Sequence, residues 1–166
     1  GVDIFFTFSG FLITSLMVDE FARSDNFKLM AFYGRRFYRI VPPLFIAVLL
    51  VLPLTYLIDH DFVTDIGKQV AAALGFTTNY FEIATGGSYE NKFIPHLFVH
   101  TWSLAVEMHF YILWGLIAWL VAKISRRLAS GRRALTRFRW GLGLLTTAFA
   151  IESFVMMYFG AVGLKD

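Results

Sequence analysis

The chain has 166 residues, of which 57% are hydrophobic, 18% aromatic and only 16% charged, with a net charge of +3. Its mean hydropathy is +0.62, which excludes an ordinary soluble domain and points to a polytopic membrane protein built from helices. It has no cysteine, so disulfides and thiolate metal sites are excluded.

Four apolar segments follow one another along the chain, and each is predicted to cross the membrane as a helix: Ile4 to Val18, Ile40 to Ile58, Phe98 to Ala122 and Trp140 to Leu164. None alternates polar and apolar residues as a barrel strand does. The fold class expected is therefore all-α, a transmembrane helix bundle of about four spans. The chain opens directly on apolar residues without an initiator Met, so it reads as a piece of a longer protein, cut at both ends. Pro42 and Pro43 are expected in the first turn of the second span, where a missing N–H is harmless, and Pro53 is expected to kink it. A fifth stretch, Ile66 to Ala84, is moderately apolar but holds Thr77, Thr78 and Asn79. It is read as an interfacial or re-entrant helix rather than a crossing.

Orientation follows from the basic residues. The linker from Asp19 to Arg39 carries Arg23, Lys28, Arg35, Arg36 and Arg39. The linker from Lys123 to Arg139 carries Lys123, Arg126, Arg127, Arg132, Arg133, Arg137 and Arg139 without one acid. The linker from Asp59 to His96 has only Lys68 and Lys92 against Asp59, Asp61, Asp65, Glu82 and Glu90. The two basic linkers are expected in the cytoplasm and the acidic one outside, and four crossings satisfy that parity. Between two apolar spans a basic block marks a cytoplasmic loop, able to touch anionic lipid, rather than a nucleic-acid site.

The third span carries the chemistry. As a helix it places His96, His100, Ser103 and Glu107 within about 60° of one another, with His109 nearly opposite His100. Glu107 falls roughly 14 Å into the span, near the bilayer midplane. An acid there is costly and must face the protein interior or a wet cavity. It serves either as a carboxylate that orients a histidine for general-base work or as interhelical glue, and the first reading is favoured. For His109 an amphipathic ring satisfied by a backbone carbonyl is the favoured reading. A metal site is not favoured: Pro95 precedes His96, and the HExxH signature is absent. Asp3, at the outer end of the first span, matches His100 in depth, although taken alone it reads as a helix cap. Arg35, Arg36 and Arg39 suit an anion clamp, yet from composition alone they are positive-inside anchors. Glu152, about mid-span in the fourth segment, either lines the same cavity as Glu107 or bonds between helices. Ser9-Gly10 lacks the elbow of a nucleophilic serine and reads as a helix contact.

Three blocks then converge. GVDIFFTFSGFLIT (Gly1 to Thr14), FYGRRFYRIVPPL (Phe32 to Leu44) and HTWSLAVEMHFYILW (His100 to Trp114) resemble, in order and spacing, three blocks of the membrane-bound acyltransferase-3 family. That family includes O-acetyltransferases of peptidoglycan, of lipopolysaccharide O-antigen and of other exported or lipid-linked sugars. The resemblance implies a partial acyltransferase domain over residues 1–166 in a bacterial cytoplasmic membrane. It implies acyl-CoA, typically acetyl-CoA, as donor substrate with no bound cofactor, and as partners an extracytoplasmic glycan or lipid-linked saccharide together with membrane lipids. By the match, Arg35, Arg36 and Arg39 face the donor, Asp3, His100 and Glu107 are the catalytic candidates nearer the acceptor, and Trp102, Ser103 and His109 line the site. The family's EEQFY is EMHFY here, with Met108 and His109 in place of Glu and Gln, so retained chemistry with an altered lining is expected. The family's essential histidine lies on a span before the GVD block, and this piece alone is expected to be inactive. The rival readings are a transporter that uses the same buried acids as a proton or solute path, and a non-catalytic membrane subunit.

Overall fold

The computed structural model describes residues 2–58, 66–84, 98 and 101–163. Six helices account for nearly all of them: α1 (Val2–Ser24), α2 (Leu29–Ile58), α3 (Ile66–Leu74), α4 (Thr78–Ala84), α5 (Thr101–Leu128) and α6 (Gly131–Gly163). No strand occurs among the described residues. Helices α1, α2, α5 and α6 are long and apolar enough to cross a membrane, as the all-helical, four-span reading requires.

The chain divides into two compact units, Gly1–Phe6 with Leu29–Gly115, and Thr7–Lys28 with Leu116–Asp166. In the first unit α2 and α5 run antiparallel. Near the start of α2, Tyr33 donates its hydroxyl to the Ile112 carbonyl at 2.7 Å. Further on, Leu44 and Val48 form a core with Ala73 and Phe98, against which Leu104 packs. Hydrophobic drive between helices is weak in lipid, so close backbone approach must supply the contact energy. Gly115 does this: a Cβ there would lie 2.9 Å from a Tyr33 ring carbon and 3.0 Å from one of Phe32.

The stretch 66–84 forms two short helices rather than one. α3 ends in a Schellman motif, with Thr77 N–H bonded to the Ala72 carbonyl at 2.8 Å and Phe76 N–H to that of Ala73 at 3.2 Å. The left-handed residue of that motif is Phe76, at φ 53°, where glycine is usual. Its ring packs on the Leu44 core, which offsets the backbone strain. At nine and seven residues neither helix has the length to span a bilayer.

The expectation that Pro42 and Pro43 open the second span is corrected. The helix begins at Leu29, eleven positions before Ile40, so Pro42 and Pro43 lie in its interior, as does Pro53. Arg35, Arg36 and Arg39 therefore lie on a helix of the span itself, not in a linker ahead of it. The three prolines release the carbonyls of Tyr38, Arg39 and Leu49 from the helix ladder, which membrane helices tolerate better than soluble ones. The basic linkers shrink likewise, because helices extend into them: α1 and α2 are separated by 25–28, and α5 and α6 by 129–130.

In the second unit Phe21 stacks on Phe138 with centroids 4.6 Å apart. Ile13, Met17, Ala118, Ala122, Ala134 and Leu142 are also buried in this unit. A Cβ on Gly141 would lie 2.7 Å from Val121, so α5 and α6 touch closely. Arg137 donates to the Leu128 carbonyl at 3.2 Å, satisfying one orphan acceptor at the end of α5.

Candidate functional site

The site grows from two pairs, each spaced four residues along one helix. On α2, Arg36 follows Phe32 by one turn, and its guanidinium carbon lies 5.8 Å from the Phe32 ring centroid. On α5, Tyr111 follows Glu107 by one turn and donates its hydroxyl to the Glu107 carboxylate. Packing α2 on α5 joins the pairs, because the same Arg36 carbon lies 5.6 Å from the Tyr111 ring centroid. The guanidinium is thus held between two aromatic rings, with the Glu107 carboxylate close enough to act on it electrostatically. Cation–π contacts strengthen once water is excluded, which gives an arginine about 10 Å along α2 from Leu29 a reason to remain there.

Glu107 is 7% exposed and Tyr111 6%. The carboxylate faces the protein interior, as its cost in lipid demands. Arg36 is half-buried, and its Nε is buried with no hydrogen-bond partner among the described residues. It borders a groove of about 350 Å³ lined by Met30, Tyr33, Phe37, Met108, Tyr111 and Ile112 among others. Arg36 is the one charged residue among the described lining. A mostly apolar groove with a single embedded cation suits a ligand with an anionic group and an apolar arm. Among the described residues no cluster of His, Cys, Asp and Glu is arranged to hold a metal ion.

The remaining candidates fall in different places. Arg35 and Arg39 are exposed on α2, whereas Arg36 is half-buried and lies against the Tyr111 ring, whose hydroxyl bonds Glu107. Ser103 is half-buried. Trp102 packs edge-on against Phe6 with centroids 6.4 Å apart, which brings the first turns of α1 and α5 together. Asp3 lies in the first turn of α1, its side chain outside the described residues, as are His96 and His100 altogether. Thr101, next to His100 in sequence, is fixed by hydrogen bonds to the Phe98 carbonyl at 2.7 Å and to the Thr78 hydroxyl at 2.9 Å. His109 is exposed and meets the Tyr80 ring edge-on at 5.6 Å. Glu152 is exposed on α6.

Sequence reasoning missed Phe32 and Tyr111. The signal was available, since each stands one helical turn from a charged residue already singled out.

The family model described as an acyltransferase domain, that of acyltransferase-3, matches residues 1–163. The O-acetyltransferase OatA of Staphylococcus aureus (strain NCTC 8325 / PS 47) is 34% identical over 117 residues, 70% of this chain and 19% of that protein. A protein of Staphylococcus aureus (strain COL), provisionally named an O-acetyltransferase, is 32% identical over an alignment of 167 residues, 96% of this chain and 27% of its own length. The chain therefore spans between 19% and 27% of these relatives. No solved structure matches it. The family match over nearly the whole chain, together with four apolar helices long enough to cross a membrane, leads to one assignment: this chain belongs to the membrane-bound acyltransferase-3 family.

Proposed function

We propose that the protein moves an acyl group, acetyl in the first instance, from acyl-CoA at the cytoplasmic side of a bacterial membrane to a hydroxyl of an exported or cell-surface saccharide. One observation carries this reading: Arg36, caged by Phe32 and Tyr111, with its Nε unpaired among the described residues, borders an apolar groove. An acyl-CoA offers the matching chemistry, with phosphates for a guanidinium and a pantetheine arm with its acyl group for an apolar wall. The O-acetyltransferase names of the relatives support acetyl as the group moved.

In the step itself the acceptor oxygen bonds to the thioester carbonyl carbon, and the carbon–sulfur bond breaks. The hydroxyl proton passes to a base, CoA leaves as the thiolate, and the base returns the proton to its sulfur to give the thiol. Arg36 positions the donor. Tyr111 holds the Glu107 carboxylate in one orientation, and Glu107 balances the Arg36 charge in the low-dielectric interior. By the sequence topology Asp3 and His100 stand toward the acceptor, as carboxylate and imidazole for the proton transfer. Arg35 and Arg39 add positive potential on the donor side without entering the groove.

The test is acylation of the cell-surface glycan by the intact protein bearing Arg36→Ala or Glu107→Gln. Each variant is expected to lose most transfer at normal expression. Unchanged acylation in both removes these roles.

A further inference from the structure

The corner between α5 and α6 carries a feature that acyl transfer leaves unused. Trp119 on α5 and Trp140 on α6 each stand about 16 Å along their helix from the corner at Ser130. All seven basic residues from Lys123 to Arg139 lie between them, and no acid does. Tryptophan prefers the level of the lipid headgroups, so the two rings mark a plane with the basic corner on its aqueous side.

Two grooves open at that level. The first, of about 410 Å³, is bounded by Asn26, Trp119, Lys123, Arg126 and Arg127, with no acid among its described lining. The Lys123 ammonium sits 4.8 Å from the Trp119 ring centroid. The second, of about 430 Å³, is lined by Thr136, Arg139, Trp140 and Gly143. Each joins a tryptophan to guanidinium groups, and they occur on neighbouring helices at matching height. A soluble nucleotide calls for one enclosed pocket and a free ring face on which to stack, whereas the Trp119 ring already carries the Lys123 ammonium. A layer of phosphates calls for repeated cation and indole pairs at one depth. We propose that the groove of Trp119, Lys123, Arg126 and Arg127 binds the phosphate of an anionic glycerophospholipid, with Asn26 placed to donate to the headgroup and Trp119 seated at the glycerol level.

The test uses the intact protein in mixed micelles of equal phosphatidylglycerol and phosphatidylcholine, with retained lipid read by native mass spectrometry. Phosphatidylglycerol is expected in about tenfold excess on the unmodified protein. Lys123→Gln/Arg126→Gln/Arg127→Gln is expected to bring the ratio close to one, whereas Arg132→Gln/Arg133→Gln at the exposed corner leaves it high. Equal retention of both lipids by the unmodified protein overturns the proposal and needs no variant to fold. A corner variant that loses the excess as fully as the groove variant also overturns it, because the effect is then only net charge. Displacement of the lipid by inorganic phosphate or ADP at constant ionic strength assigns the groove to a soluble anion and overturns it as well.

Discussion

Arg36 and Glu107 bring two opposite charges into the apolar packing of α2 on α5, and aromatic residues make that possible. Phe32 and Tyr111 cover the guanidinium, and the Tyr111 hydroxyl bonds the carboxylate. Tyr111→Phe keeps the ring and removes the hydroxyl bond. A hydrogen bond to a charged group contributes about 1.5–3 kcal/mol, so acyl transfer by this variant is expected to fall roughly ten- to a hundredfold, read as acylated glycan per unit of protein. Arg36→Lys keeps the charge but loses the planar stack and fork, and it is expected to retain little more transfer than Arg36→Ala. Transfer at the native level in Arg36→Lys would show that charge alone is needed. Glu107 was legible from sequence, since an acid in so apolar a run has few structural excuses. Its partner was not: residues 36 and 107 are far apart in the chain, and only the crossing of α2 on α5 makes them neighbours.

Among the elements, α2 departs most from its sequence signal. Hydropathy marks a span only from Ile40, because Arg35, Arg36 and Arg39 lower the average ahead of it. The helix nevertheless starts at Leu29, since arginine is a good helix former and Arg36 finds its cover on α5. Prolines are ambiguous in the same way: a pair that starts a helix in water sits within one in a membrane, where packing replaces the lost backbone bonds. The approach of α2 to α5 hinges on Gly115. Gly115→Ala places a methyl against two rings, one of them pinned by its bond to Ile112, and is expected to cost about 1–3 kcal/mol through overpacking. Gly143→Ala, with open space at its Cβ, is the control and is expected to be neutral or slightly stabilising. Thermal unfolding of the intact protein in detergent compares them, and equal midpoints would deny Gly115 its packing role. Breaking 66–84 into α3 and α4 was foreshadowed only by its polar Thr77, Thr78 and Asn79. The left-handed Phe76 was not foreshadowed, because tertiary packing of its ring decides the turn.

For the whole molecule, the all-helical class, the count of four spans and the family were readable from composition, apolar length and three sequence blocks. The distribution of basic residues adds an orientation that experiment can check directly. This chain has no cysteine, so one introduced at Ser130, between α5 and α6, reports topology when its labelling is read against the unsubstituted protein. In intact cells Ser130→Cys is expected to resist a membrane-impermeant maleimide and to react once the membrane is opened. Labelling in intact cells would invert the topology and put the arginine face on the wrong side for a cytoplasmic donor. The central claim is that Arg36 and Glu107, joined through Tyr111, act as one unit in acyl transfer. A double-mutant cycle of Arg36→Gln and Glu107→Gln, measured as the rate of acyl transfer by the reconstituted intact protein, tests it most directly. Coupled residues give a double variant no more than a fewfold slower than the worse single variant; rate losses that simply multiply would mean that the two side chains work independently, contrary to the account.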